Sequence, residues 1–321
     1  MRWGVVLAGG DGVRLRSLTR ALFGDDRPKQ FCPLVSGQTL LSQTVRRAKS
    51  SIPGGQILFA FTRAHREFYL QETSAPASQR IVQPYNKGTA PPIIFSVLSI
   101  HQVSEDALIA ILPSDHHYAD DRHFTAALES GFEIAASHGD SVVLIGAHPD
   151  RPEIEYGWIE LGAAVQNNRH DLLRVRSFRE KPTQEVAQAM LAQPSAWNTF
   201  VMVGRARTFL DVIASAVPDT LQALRSLPLW AGDETPIEDS AYEQMPSCDF
   251  SRQVLSIVSM RLLVLRVLNL GWTDLGNPGR VMRILKRDDD DLARSAGPAP
   301  IRPDAPAHAT ARRALATTAD R

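Results

Sequence analysis

Residues 3–15 read WGVVLAGGDGVRL, an apolar run followed directly by a glycine-rich turn. The run Trp3–Leu7 predicts a buried strand. Glycines in the turn let backbone N–H groups approach a ligand, as in loops that bind phosphate, and Arg14 adds a cation. The turn has neither the Gly-Lys-Ser/Thr of a Walker A loop nor the spacing of the dinucleotide motif. Taken alone, it is as typical of a structural turn as of a phosphate site.

Apolar runs and helical patterns alternate over the next 130 residues. The further predicted strands are Gln56–Phe61, Arg80–Gln83, Ala107–Leu112 and Ser141–Ala147. The predicted helices are Leu40–Lys49, Arg63–Gln71, Thr89–Ser99 and His123–Ser137, and most of them follow a capping residue. This alternation predicts a doubly wound, mostly parallel α/β sheet, whose ligands bind outside the carboxyl ends of the strands.

The rhythm changes after about residue 151. Shorter extended segments and helices then alternate at Tyr156–Leu161, Leu173–Phe178, Thr183–Leu191, Trp197–Gly204 and Arg205–Ala216, followed by a strand at 262–268 and a helix at Asn277–Lys286. We interpret residues 1–287 as one domain, with a nucleotide-binding half of about 1–150 and a substrate half of about 151–287. Residues 288–321 hold ten alanines, four prolines and a DDDD run, which predicts a disordered tail.

Composition excludes several classes of protein. The 321 residues include 35 basic and 35 acidic side chains, so no global charge attracts nucleic acid or a membrane surface. No run approaches the roughly 18 apolar residues of a membrane span, and no signal-peptide pattern precedes Trp3. The two cysteines, Cys32 and Cys248, offer no disulfide framework. We therefore expect a cytoplasmic protein without nucleic-acid or membrane partners, and homo-oligomerisation stays open.

A second motif follows the glycine-rich turn within twenty residues. It is Arg27-Pro28-Lys29-Gln30-Phe31, and it contains one of only five lysines in the chain. A solvated loop lysine is the simpler explanation of Lys29. The two motifs in this order resemble the opening of the sugar-1-phosphate nucleotidyltransferases, particularly the mannose-1-phosphate guanylyltransferase branch. Further motifs over residues 2–286 follow the order of that family.

The resemblance implies transfer of a nucleotidyl group from a nucleoside triphosphate to a sugar 1-phosphate, with GTP and mannose 1-phosphate favoured. It implies a nucleotidyltransferase fold similar to the GT-A arrangement. It assigns nucleotide binding to Leu7, Ala8, Gly9, Gly10, Gly12, Gln83, Gly88 and Thr89. Arg14 and Lys29 would grip the triphosphate, Lys181 would hold the incoming phosphate, and Lys87 would border the nucleotide.

The same resemblance assigns sugar-phosphate binding to Gly157, Glu180, Lys181 and Asn198. It makes Asp115, at the end of an apolar strand, and Asp274, in the segment Gly271–Gly276, the ligands of a Mg²⁺ ion. Two carboxylates suit a hard cation that keeps waters and phosphate oxygens. Without the resemblance, both aspartates are turn or cap residues, and Glu180 with Lys181 is a surface ion pair.

Departures from the family pattern leave alternatives open. Pro92 stands in the last place of the usual T-A-P-A, and the usual W-N-S-G has become Trp197-Asn198-Thr199-Phe200. Glucose 1-phosphate or a heptose 1-phosphate is then an alternative acceptor. Because a glutamine at 83 also serves a uracil or thymine edge, uridylyl or thymidylyl transfer is an alternative reaction.

Two other classes remain as rivals. One is a non-catalytic nucleotide-sensing protein on the same fold, and retention of the carboxylates and phosphate lysines argues against it. The other is a metal-dependent glycosyltransferase, which has no use for a loop that grips a triphosphate. The adjacent His116 and His117 lack further ligands at zinc spacing, so we interpret them as bystanders.

Overall fold

The computed structural model describes residues 1–35, 37–166, 169–228 and 239–285. Nine strands form one sheet in the order β3-β2-β1-β4-β9-β6-β10-β8-β7, and β5 and β11 form a separate pair. The strands are β1 (Arg2–Leu7), β2 (Ile57–Thr62), β3 (Arg80–Gln83), β4 (Leu108–Pro113), β5 (His117–Tyr118), β6 (Val142–Ala147), β7 (Gly157–Gln166), β8 (Arg169–Glu180), β9 (Ser195–Arg205), β10 (Leu262–Val267) and β11 (Trp272–Thr273).

Most strands of the sheet run in the same direction, as the sequence predicts. Strand β1 pairs in parallel with β2 and β4, β2 with β3, and β6 with β10. Strand β9 is antiparallel to β4, β6 and β7, and β8 is antiparallel to β7 and β10. Seven strands therefore point one way and two point the other. The two predicted halves contribute strands to the same sheet, because β9 lies between β4 and β6.

Helices cover both faces of the sheet. They are α1 (Arg16–Phe23), α2 (Leu40–Lys49), α3 (Arg66–Glu72), α4 (Ala90–Val103), α5 (Asp121–Ser137), α6 (Gln184–Leu191), α7 (Ala206–Ala216), α8 (Pro218–Arg225), α9 (Asp239–Gln244) and α10 (278–285). Successive residues of β1 face opposite layers: Val5 belongs to the buried cluster that contains residues of α4 and α7, whereas Val6 belongs to the cluster that contains residues of α5. This two-sided burial confirms the doubly wound arrangement.

The predicted elements recur with end shifts of a few residues. The largest shifts are in the second half, where the predicted Leu173–Phe178 is the twelve-residue β8. The sequence patterns do not predict α1, α8, α9, the β5–β11 pair or the π-helical turn at Ser251–Leu255. The predicted tail at 288–321 and the end of the last helix at Lys286 lie outside the described residues. In the described part of the chain, no helix has the length and apolarity to cross a membrane.

A small third core brings the two ends of the domain together. Leu15 and Leu18 from the turn after β1 and from α1 pack with Leu275, Val281 and Ile284 from the segment that ends in α10. All five side chains are buried. This contact sets the Asp274 segment beside the glycine-rich turn, although about 260 residues separate them in sequence.

Candidate active site

A cleft of about 370 Å³ lies at the carboxyl ends of the parallel strands, within the size range of ligand pockets. Thirteen of the sixteen predicted site residues line it: Leu7, Gly9, Gly10, Arg14, Gln83, Gly88, Thr89, Asp115, Gly157, Glu180, Lys181, Asn198 and Asp274. The other three, Ala8, Gly12 and Lys29, do not line it. The fold thus brings residues from every predicted motif except Arg27–Phe31 to one cleft.

The second motif holds the glycine-rich turn in shape. The Gln30 amide donates to the carbonyls of Ala8, at 3.1 Å, and Gly10, at 2.8 Å. A Cβ on Gly9 would lie 3.1 Å from Nε2 of Gln83, whereas a Cβ on Gly10 would meet nothing within 4 Å. Gly9 is therefore required by close packing, and Gly10 leaves open space for a ligand. The motif Arg27–Phe31 contains Gln30, but the sequence does not indicate this role.

Lys29 binds protein carboxyl and carbonyl groups instead of facing the cleft. Its ammonium donates to the backbone carbonyl of Asp274 at 2.5 Å and lies 3.1 Å from Oδ2 of Asp115. Gly12, at φ +60°, packs on the backbone N of Lys29, where a Cβ would lie at 3.1 Å. Lys29, Gly12 and Arg14 also border a second cavity of about 200 Å³ together with Asp115. The lysine therefore ties the two predicted metal-ligand segments together.

Asp115 and His116 form a pair at the cleft wall. Burial raises the pKa of the Asp115 carboxyl, but the charges of Lys29 and His116 outweigh burial and hold that pKa below its usual range. The indole N–H of Trp272 donates to Nδ1 of His116 at 3.1 Å, and Nε2 lies 3.6 Å from Asp115. Burial lowers the pKa of His116. His116 lines the cleft, so it is part of the site and not the bystander that we expect from the sequence.

Arg280 lies behind the cleft lining, contacts Asp274 and Glu155 of that lining, and belongs to none of the predicted motifs. Its guanidinium is buried and lies 2.5 Å from Oδ1 of Asp274, 2.8 Å from Glu153 and 2.9 Å from Glu155. Arg14 binds the same Glu155 at 3.1 Å and lies 4.0 Å from Oδ2 of Asp274. Arg280 thus holds Oδ1 of Asp274 through a charged hydrogen bond, and Oδ2 points toward Arg14 and the cleft. The sequence does carry one signal for Arg280. In the predicted helix, it lies one turn before the apolar Ile284 and therefore on the same, buried face.

A buried tyrosine orients the predicted base-reading residue. The Tyr242 hydroxyl donates to Oε1 of Gln83 at 2.5 Å, and both side chains are buried. With Oε1 engaged and one Nε2–H directed to the Phe61 carbonyl at 3.5 Å, the Gln83 amide keeps one N–H for a ligand. Gly88, at φ +92°, packs so closely on Cys248 that a Cβ would collide with its carbonyl oxygen. Thr89 accepts a hydrogen bond from the Phe250 N–H; Gly88 and Thr89 thus anchor the segment 248–250 that borders the cleft.

The other end of the cleft gathers the predicted sugar-phosphate residues. A Cβ on Gly157 would lie 2.8 Å from Oε2 of Glu180 and 3.2 Å from Asn198, which accounts for the glycine. Burial and the nearby Asp249 raise the pKa of the Glu180 carboxyl. Lys181, at φ +48°, donates its backbone N–H to the Tyr156 carbonyl and keeps a half-exposed side chain. Lys87, in contrast, donates to the Glu243 carbonyl and does not line the cleft.

The charges of the cleft are mainly negative. Five carboxylates line it, those of Asp115, Glu155, Glu180, Asp249 and Asp274, against the cations of Arg14 and Lys181. Within the described residues, no group of three or more His, Cys, Asp or Glu side chains is arranged to hold a metal ion. A cation bound here would therefore take its remaining ligands from water or substrate.

The fold and the cleft define an α/β protein with a charged cleft at the carboxyl edge of its sheet, where proteins of this class bind ligands. The chain belongs to the Nucleotidyl transferase family, whose sequence profile matches residues 3–290.

Known relatives cover most of the chain. It is 30% identical to the alginate biosynthesis protein AlgA of Pseudomonas aeruginosa, over 88% of this chain and 58% of AlgA. It is 28% identical to a mannose-1-phosphate guanylyltransferase of Escherichia coli, over 88% of this chain and 60% of that protein. The chain thus spans about three fifths of the length of these curated relatives. The crystal structure of a mannose-1-phosphate geranyltransferase from Thermus thermophilus superposes with a TM-score of 0.75 at 28% identity, covering 88% of this chain and 78% of that one.

Proposed function

We propose that the protein transfers a nucleotidyl group from a nucleoside triphosphate to a sugar 1-phosphate and releases pyrophosphate. The observation that carries this proposal is the single cleft in which the glycine-rich turn and Asp115 meet Glu180, Lys181 and Asn198. One end of that cleft suits a triphosphate, and the other suits a phosphorylated sugar. Family membership supports the reaction class.

The reaction balances without a side-chain base. An oxygen of the sugar phosphate forms a bond to the α-phosphorus, and the bond from that phosphorus to the β-bridging oxygen breaks, so pyrophosphate leaves. The attacking oxygen is already an anion, and no proton needs to move. Catalysis then consists of aligning two mutually repelling polyanions and neutralising them. Gly9, Gly10 and Arg14 would hold the triphosphate, and Lys181 would hold the incoming phosphate. Lys29, which does not line the cleft, would contribute its positive charge and hold Asp115 in place through their ion pair.

We further propose that Mg²⁺ binds with the substrates at Asp115 and Asp274. The donor set fits, because both are oxygen ligands on one cleft and the lining carries three more carboxylates than cations. Such a lining repels a polyanion unless a cation accompanies it. When bound, the ion would supply positive charge to the phosphate oxygens. Lys29 and Arg280 keep the two carboxylates in place.

GTP and mannose 1-phosphate are the proposed substrate pair. Two of the relatives carry mannose 1-phosphate in their names. The remaining N–H donor of Gln83, whose orientation Tyr242 fixes, suits a base with a ring carbonyl, such as O6 of guanine, and opposes the amino group of adenine. A uracil or thymine carbonyl meets the same requirement, so UTP and dTTP are the alternative donors. Because nucleoside triphosphates are made in the cytoplasm, we propose that the reaction takes place there.

Pyrophosphate release from a panel of triphosphates and sugar 1-phosphates tests the proposal. The panel combines GTP, UTP, dTTP and ATP with mannose and glucose 1-phosphates and a heptose 1-phosphate, in Mg²⁺ and in excess chelator. We expect the highest kcat/KM for GTP with mannose 1-phosphate and loss of turnover in chelator. A higher value for UTP or dTTP with every acceptor would overturn the guanylyl assignment alone. Triphosphate binding without turnover of any pair would instead indicate a nucleotide-sensing protein.

A further inference from the structure

The backbone at Phe200 is strained next to the cleft. Among the described residues, three that are not glycine have positive φ: Lys181, Phe200 (+61°) and Leu275. Two of them line the cleft, and Leu275 follows Asp274 directly. Side chains are disfavoured in the left-handed region, and such strain concentrates at functional sites. A bulky aromatic residue there is therefore a candidate for a specific role.

A bulge in β9 produces this conformation. Leu144 of β6 pairs with Met202 of β9, but Gly146 pairs with Asn198, so β9 has extra residues over that step. The Thr199 hydroxyl donates to the carbonyl of Ile145 at 2.6 Å, which turns Thr199 into the interior. Bulges of this kind re-aim a neighbouring side chain. The side chain that is re-aimed is Phe200, because Thr199 is fully buried and Phe200 lines the cleft.

Local contacts hold the ring in this place. The Phe200 N–H donates to Oδ1 of Asn198 at 3.1 Å, which leaves the Asn198 N–H groups for a ligand. The ring lies edge-to-face with buried Phe250, with centroids 6.5 Å apart. Phe200 is only partly buried, so an apolar surface faces a part of the cleft that Glu180, Asn198 and Asp249 also line.

We propose that Phe200 is a specificity residue of the acceptor site, where its ring packs against an apolar C–H face of the sugar ring. This inference rests on the proposed function. A sugar phosphate has hydroxyls around its rim and C–H groups on its faces, and polar groups with one apolar wall match that pattern. Glu180 and Asn198 would bind hydroxyls, and Phe200 would gain apolar contact only when a sugar is present. Thr199, by contrast, does not face the acceptor.

Direct binding of two probes tests the inference without turnover. Isothermal titration with mannose 1-phosphate and with inorganic phosphate is compared for wild type, Phe200→Gly and Phe200→Leu. We expect Phe200→Gly to weaken the binding of mannose 1-phosphate about tenfold, equivalent to about 1.4 kcal/mol, and to leave the binding of inorganic phosphate unchanged. Phe200→Leu keeps apolar volume, so it should weaken the binding of mannose 1-phosphate less than Phe200→Gly does. In saturation-transfer NMR, the sugar C–H protons should lose saturation in Phe200→Gly.

Each outcome decides the inference. Glycine relieves the positive φ, so Phe200→Gly should fold, and Phe200→Asn, which also tolerates that region, serves as a second variant. Equal affinity of both folded variants and wild type for mannose 1-phosphate would overturn the inference. So would equal weakening of inorganic phosphate. If sugar binding depends on Phe200 but no pair in the panel releases pyrophosphate, the inference stands and the proposed reaction fails.

Discussion

Replacing Arg280 by methionine should strongly destabilise the fold. Methionine keeps a long apolar stem but removes a buried guanidinium that lies within 3 Å of Asp274, Glu153 and Glu155. The three carboxylates would remain without their shared cation. Breaking a buried ion pair from one side costs about 3–5 kcal/mol. Burial of this guanidinium opposes its charged form, yet its acidic partners raise its pKa, so it stays charged.

The expected thermal shift follows from the size of the domain. An unfolding entropy of about 2.1 cal/mol/K per residue gives roughly 0.6 kcal/mol/K for about 285 residues. A loss of about 3–5 kcal/mol then lowers Tm by about 5–8 °C. Thermal melts followed by circular dichroism measure this shift, and urea titration measures the change in the free energy of unfolding.

Arg283 provides the matched control on the same helix. It is exposed, so Arg283→Met should change the free energy of unfolding by no more than about 0.5 kcal/mol. Arg280→Met should also reduce turnover more than Arg283→Met at a temperature where both are folded, because Asp274 loses the partner that orients it. If the two variants melt within about 1 °C of each other, the buried network does not stabilise the fold as argued.

Four further substitutions test other parts of the site. Lys181→Ala should raise the KM for the sugar phosphate and lower kcat, with Lys181→Arg restoring only part; unchanged steady-state kinetics would refute its role. Asp115→Asn should lose most Mg²⁺-dependent pyrophosphate release, and full activity would exclude it as a ligand. Because the pKa of Glu180 is raised from an ordinary 4.5, its ionised form opposes folding. Glu180→Gln should therefore have a higher Tm than wild type at pH 7. The difference in Tm should shrink as the pH falls through the raised pKa, because the wild-type carboxyl then becomes neutral; a difference that grows in acid would contradict this. Tyr242→Phe removes the donor to Gln83 and should lower the free energy of unfolding, measured by urea titration, by about 1–3 kcal/mol. It should also raise turnover of ATP relative to GTP, and an unchanged base preference would refute the orienting role of Tyr242.

Sequence patterns predicted the parts of the site that are local in the chain. An apolar strand followed by glycines or an aspartate is visible within ten residues, which is why the turn after β1 and Asp115 could be placed at the carboxyl edge of the sheet. Contacts between side chains that are distant in the sequence have no such local pattern. The family resemblance assigns Lys29 to the triphosphate, whereas in the structure its ammonium contacts Asp115 and the Asp274 carbonyl. Tyr242 could not be found, because nothing near it in sequence indicates Gln83 as its partner.

The conformation of Phe200 was equally hidden. The departure from W-N-S-G was visible in the sequence, but an alternating strand pattern does not reveal a bulge. Only the pairing of β9 with β6 shows that Phe200 takes the left-handed backbone and that Thr199 turns inward. The sequence therefore indicated a place where specificity can differ from the family without indicating which of the two altered residues faces the ligand.

The antiparallel direction of β9 explains how the sugar-phosphate residues reach a site built at the carboxyl ends of parallel strands. Ile111 of β4 lies opposite Met202 of β9. Because the two strands are antiparallel, the first residues of β9 lie beside the end of β4, close to Asp115. Asn198, near the first residue of β9, therefore lies at the level of the carboxyl end of β4. A parallel strand in this place would put its own beginning at the far edge of the sheet. The reversed strand thus lets one continuous sheet present residues from both predicted halves to a single cleft.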